Sequence, residues 1–135
     1  MNKLVGAGLL SVALLPPILP SARAQEPSPR LKLAQDLARA HAASAPGKAW
    51  LARNHDKAAQ LMVPVLQRCI EDVEDGELMS FSTYLRLSQK GNVLEIVTEL
   101  DAQLGRCMTD EAKGVQLPQA PREDFWIQVN LAAML

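Results

Sequence analysis

The chain has 135 residues, with 14 Lys and Arg against 15 Asp and Glu and a formal net charge of −1. That balance, with no basic block, leaves no electrostatic footprint for nucleic acid or an anionic lipid surface. Hydrophobic residues make up 48% of the chain, which suits one domain with one modest core.

The chain opens MNKLVGAGLLSVALLPPILPSARAQ, with one cation, Lys3, ahead of an apolar run over residues 4–19. Ala22-Arg23-Ala24 then supplies small residues at the two positions a signal peptidase reads. This pattern predicts a secretory signal peptide over residues 1–24, cut near Ala24, and a protein delivered to the periplasm or secreted. The rival reading is an uncleaved membrane anchor. Pro16, Pro17 and Pro20 interrupt the run, short of the roughly 20 apolar residues a spanning helix needs. No later stretch is long and apolar enough to span, so no membrane span is expected after cleavage. Cleavage removes Lys3 and Arg23 and no acid, and so leaves the exported chain more acidic.

Residues 25–29, QEPSP, read as a polar leader. Residues 30–43 read as a helix with Leu33, Leu37 and Ala40 on one face. That face has little bulk, so the helix is expected to pack loosely and to be dispensable for folding. SAPGK ends it, because Pro46 and Gly47 break helices. A second helix is predicted over 49–73. Ala58, Leu61, Met62, Val65, Leu66, Cys69, Ile70 and Val73 recur along it at three- and four-residue steps. Pro64 lacks an amide hydrogen, which predicts a kink or break near Met62. The acidic run EDVEDGE closes this helix, with Gly76 as its cap. It lacks the ligand spacing of a calcium loop and reads as a solvated turn.

Residues 81–87 alternate, with Phe81, Thr83, Leu85 and Leu87 set against Ser82, Tyr84 and Arg86. A period of two predicts a half-buried strand. SQKGN is a turn in which Gly91 can take positive φ. Residues 93–98 alternate again, with Leu94 and Ile96 inward, and complete an antiparallel hairpin. Thr98-Glu99-Leu100-Asp101 reads as a capping box for a third helix reaching about Lys113. Leu100, Leu104, Cys107, Met108 and Ala112 line one side of it. A loop with Pro118 and Pro121 brings the chain back to a third strand over 124–131. There Phe125, Ile127, Val129 and Leu131 alternate with Trp126, Gln128 and Asn130. The predicted class is α+β: N-terminal helices, then a three-stranded antiparallel sheet in β-β-α-β order, with the helices packed on one face.

The two cysteines, Cys69 and Cys107, fall on the apolar sides of the second and third helices. An exported chain with an even cysteine count is expected to bond them, which would staple the two helices together. The other reading is two separate buried thiols. No C-x-x-C occurs, and His41 and His55 fit no metal-ligand spacing, so neither redox chemistry nor a metal is expected. Ser80, Ser82 and Ser88 lack a G-x-S-x-G context, and no glycine-rich phosphate loop occurs. The His55-Asp56 pair and the acid pairs Asp72/Asp75 and Asp110/Glu111 read as surface residues. No enzyme and no cofactor are expected.

Over residues 65–131, the strand, KGNV turn, strand, TELDAQLGRCM helix, VQLPQAP loop and last strand resemble the C-terminal domain of TonB-like energy transducers. The subtype is that of AgmX/PglI-type motility-associated proteins, matched by Cys69, Gly91, Val93, Cys107, Pro118 and Pro121. The chain is thus expected to divide into a signal peptide (1–24), a leader and N-terminal helix (25–47) and an α+β domain (48–135) that the resemblance makes TonB-C-like. It implies a non-catalytic periplasmic protein-binding module whose partner is an envelope or periplasmic protein. Such domains lend a sheet edge to an extended segment. Here the third strand is the candidate edge, with Phe125, Trp126, Gln128 and Asn130 as candidate partner-binding residues. Trp126 has two possible places, at the interface or under the N-terminal helix. A membrane anchor and a proline-rich spacer, both present in TonB proteins, are not expected here, which argues against energy transduction. The alternative function is a periplasmic inhibitor or immunity protein against a hydrolase or toxin.

Overall fold

The computed structural model describes residues 28–70 and 76–134. The predicted signal peptide, Val73 and most of the acidic run lie outside them. The elements are α1 (Pro29–Ala43), α2 (Ala45–Cys69), β1 (Leu78–Leu87), β2 (Val93–Thr98), α3 (Ala102–Glu111) and β3 (Phe125–Met134). The predicted α+β class and the β-β-α-β order both hold. The strands form one antiparallel sheet in the order β2-β1-β3.

Serines punctuate the helices. The Ser28 hydroxyl accepts from the Leu31 amide at 3.1 Å and starts α1. Ser44 ends α1 and begins α2, accepting from the Gly47 amide at 3.1 Å. Pro46 therefore falls in the first turn of α2, where its missing amide hydrogen costs nothing. The helix accordingly starts at Ala45, ahead of the predicted position 49. It also continues through Pro64, where a kink or break was expected. Pro64 and Gln60 are exposed, so water can satisfy the Gln60 carbonyl that the proline leaves free.

The inner face of the sheet carries Phe81, Leu85, Leu87, Ile96, Phe125, Ile127 and Val129, and α2 and α3 cover it. Trp50 of α2 packs its ring edge-on against Phe125 and donates from Nε1 to the Gln119 carbonyl at 2.9 Å. The Cys69–Cys107 disulfide joins α2 to α3, as the sequence predicts. Gly91, at φ +94°, lets the hairpin turn meet the returning loop. A Cβ there would sit 2.1 Å from the Leu117 carbonyl oxygen.

The helices do not all lie on one face. α1 crosses the outer face, where Leu31, Ala34 and Ala38 cover Tyr84 and Trp126. Its buried face is thus Leu31, Ala34, Ala38 and His41, while Leu33 is exposed. Alanine on that face suits the helix to two bulky aromatic rings, so low bulk here reflects close packing. α1 thus packs closely on the sheet, which corrects the expectation that it packs loosely.

Two local expectations also shift. A bulge at Arg86/Leu87 puts Val93 and Ile96 inward and leaves Leu94 exposed, because a bulge breaks the period of two. The cap of α3 is Asp101, whose carboxylate accepts from the Leu104 amide at 2.7 Å. Thr98 instead accepts from the Leu100 amide, at 3.1 Å.

Candidate functional site: the outer edge of β3

A three-stranded sheet has two outer edges, and unpaired edges are templates for another strand. The β2 edge is closed. The Ile96 amide donates to Thr109 Oγ1 of α3 at 3.0 Å. Gly105 lets α3 approach so closely that a Cβ at that position would lie 3.1 Å from the Ile96 carbonyl oxygen.

The β3 edge is closed only at its start. The Trp126 amide points away from β1 and donates to His41 Nδ1 at 2.9 Å. In an antiparallel strand, alternate residues direct their amide and carbonyl to the same side. The backbone groups of Gln128, Asn130 and Ala132 therefore also face outward. Among the described residues no strand pairs with them. β3 pairs with β1 in unbroken register from Phe125 to Met134, without a bulge. The strand FWIQVNLAAM carries no charge, proline or glycine. Charges, proline and a bulge, which often blunt an edge, are thus absent from this strand.

The four predicted partner-binding residues divide into two pairs. Gln128 and Asn130 are exposed on the open stretch. The Gln128 side chain donates to Ser82 Oγ at 3.0 Å, and Ser82 Oγ donates to Asn130 Oδ1 at 2.9 Å. Phe125 and Trp126 lie inside the protein, at 0% and 2% exposure. Of its two possible places, Trp126 takes the one under α1, and the Arg30 guanidinium sits 5.4 Å from its ring centroid. Arg30 also pairs with Glu95, and that pair, with Arg86 adding to it, holds the Glu95 carboxyl below the usual range.

His41, which fits no metal-ligand spacing, instead closes the start of this edge. It lies on α1 at 8% exposure, stacked on Phe125 with ring centroids 5.6 Å apart. The i, i+3 spacing from Ala38 was its one signal. Burial, reinforced by the Arg122 charge, pushes its pKa below the ordinary histidine value. As an acceptor, Nδ1 must be unprotonated. The unfolded chain therefore binds the proton more readily than the folded one. Stability from this group is complete above about pH 6.5 and falls as pH drops through that value toward the lowered folded pKa. The melting temperature of the native protein should thus fall between about pH 7 and pH 5 more steeply than that of His41→Gln. Equal slopes in a thermal melt series would disprove the role.

A cleft of about 810 Å³ lies between α1, β2 and α3. Each of the four acids lining it is engaged: Glu95 with Arg30, Glu99 with the Ser82 amide, Asp101 as a helix cap and Asp110 with Lys113. Among the described residues, no group of three or more His, Cys, Asp and Glu is arranged to hold a metal. No described helix is long and apolar enough to cross a membrane. No protein-family model matches the chain, and neither does any curated protein or solved structure.

Proposed function

We propose that the chain is a small, exported, non-catalytic protein-binding module of TonB-C-like type. In this reading it takes an extended segment of an envelope or periplasmic protein onto the outer edge of β3. The observation that carries the reading is the asymmetry of the two sheet edges. α3 covers the β2 edge at Ile96, whereas β3 beyond Trp126 is unpaired among the described residues, in unbroken register with β1 and uncharged. Main-chain pairing along such an edge supplies affinity with little demand on the partner's sequence. The likeness of residues 65–131 to TonB-like C-terminal domains supports the same mode. Export is supported by the pattern of residues 1–24 and by the Cys69–Cys107 bond, since disulfides persist in oxidising compartments.

Ala132→Pro tests the edge. Residue 132 directs its amide outward and its side chain is exposed, so proline removes an edge donor without touching the β1 pairing. The oxidised native protein is expected to recover a partner from envelope extract that Ala132→Pro does not, with the two melting within a few degrees of each other. The Gln128, Asn130 and Ala132 amides should gain exchange protection in the complex. Equal recovery by both forms, or protection elsewhere, would sink the reading.

A further inference from the structure

Beside the open stretch of β3 lies a cavity of about 550 Å³. Gln35 and Arg39 of α1 form one wall, His55 of α2 another, and Tyr84, Gln128 and Asn130 the floor. Among the described residues no Asp or Glu lines it, although the whole chain carries more acids than Lys and Arg.

The polar groups here are short of acceptors. Tyr84 is 5% exposed, and its hydroxyl has no hydrogen-bond partner among the described residues. Among the described residues none of the fully enclosed side-chain polar atoms lacks a partner, so this hydroxyl meets the cavity and not the core. Asn130 Oδ1 accepts from Ser82 Oγ and from Gln128 Nε2, at 2.9 and 3.2 Å, which leaves its amino group as a donor. Arg39 contacts Asp36 at 3.3 Å and His55 contacts Asp56 at 3.7 Å. Both contacts are solvent-exposed and weak, and a guanidinium keeps further N–H donors. A phenol, an amide and a guanidinium facing one space fit a carboxylate, which accepts only.

Position on the sheet then says where the carboxylate comes from. Gln128 and Asn130 lie on the α1 face, and the residues opposite them on an added strand would share that face. We infer that the cavity receives an Asp or Glu side chain from the segment paired on β3. This acid is the specificity element of an otherwise sequence-tolerant edge. The inference rests on the edge reading, and the experiment separates the two.

Short displayed peptides are selected on the oxidised protein and then rebound to Ala132→Pro, Arg39→Gln and Tyr84→Phe. Near-ultraviolet circular dichroism shows that each variant is folded. The expected peptides share one acidic position and are lost on Ala132→Pro. They bind Arg39→Gln roughly tenfold more weakly, as the loss of one charged hydrogen bond predicts. Changing the peptide's acid to its amide should cost the same factor on the native protein and little more on Arg39→Gln, the signature of a direct contact. Peptides that need the edge but show no acidic preference, with Arg39→Gln and Tyr84→Phe binding like native, overturn the cavity and leave the edge reading intact. Peptides indifferent to Ala132→Pro, or no selected peptide at all, overturn both.

Discussion

Trp126→Ala is expected to lower the stability by about 3–5 kcal/mol, the range for deleting a fully buried aromatic side chain. The indole is 2% exposed and meets Leu31, Ala34 and Ala38 on one side and Tyr84 on the other. Two small alanines cannot expand to fill the space it leaves, so little of the cavity would collapse. Arg30 would also lose its aromatic partner. The denaturant midpoint measures the loss, and hydrogen exchange along α1 should rise more than exchange along α2. A loss below about 1 kcal/mol would mean that α1 does not hold the outer face. Trp126→Asp would for the same reason report on folding and not on partner contact. Removing residues 28–44 should be at least as damaging, since it uncovers both aromatics and takes away His41.

Loss of the disulfide should cost a comparable amount. The bond spans a sequence separation of 38, and in the chain-entropy model its removal frees the unfolded chain by roughly 4 kcal/mol. Domains of this size are stable by about 5–15 kcal/mol in total, so Cys69→Ser with Cys107→Ser should be marginal. Urea unfolding of the oxidised native protein beside the double variant decides it. A difference within about 1 kcal/mol would show that packing between α2 and α3 suffices alone, since their contact also includes an Arg68–Glu111 ion pair at 2.7 Å. Both residues of that pair are substantially exposed, and exposed pairs contribute about 0–1 kcal/mol. The covalent bond is therefore expected to outweigh that ion pair in tying the two helices together.

Much of this fold is legible in the chain. A period of two marks residues 81–87 and the last strand because each strand shows one side to a core. Three- and four-residue steps mark α2 because its Ala58, Met62, Val65 and Leu66 face the same core. Errors arise where a single local rule is overridden. Pro64 interrupts nothing because it sits on the wet side of its helix. Leu94 faces solvent because a bulge, set by pairing with β1, moves the alternation by one residue. The buried face of α1 departs from its leucine pattern because that helix packs on aromatic rings, where alanine fits better than leucine.

The site divides along the same line. The composition of β3, uncharged and free of proline and glycine, is a property of the sequence by itself, as are its alternation and the cysteine pair. Whether that strand is central or at an edge is not, because the same alternating pattern serves in either place. Only tertiary pairing sets the order β2-β1-β3, turns α3 against one edge and leaves the other unpaired among the described residues from Gln128 onward. His41 and Trp126 are 85 positions apart, and so are joined by nothing local. Their contact depends on α1 crossing the outer face, a choice made by the bulk of Trp126 and Tyr84 seeking cover from water. Side-chain chemistry along one strand is written locally, whereas access to its backbone is decided by what packs beside it.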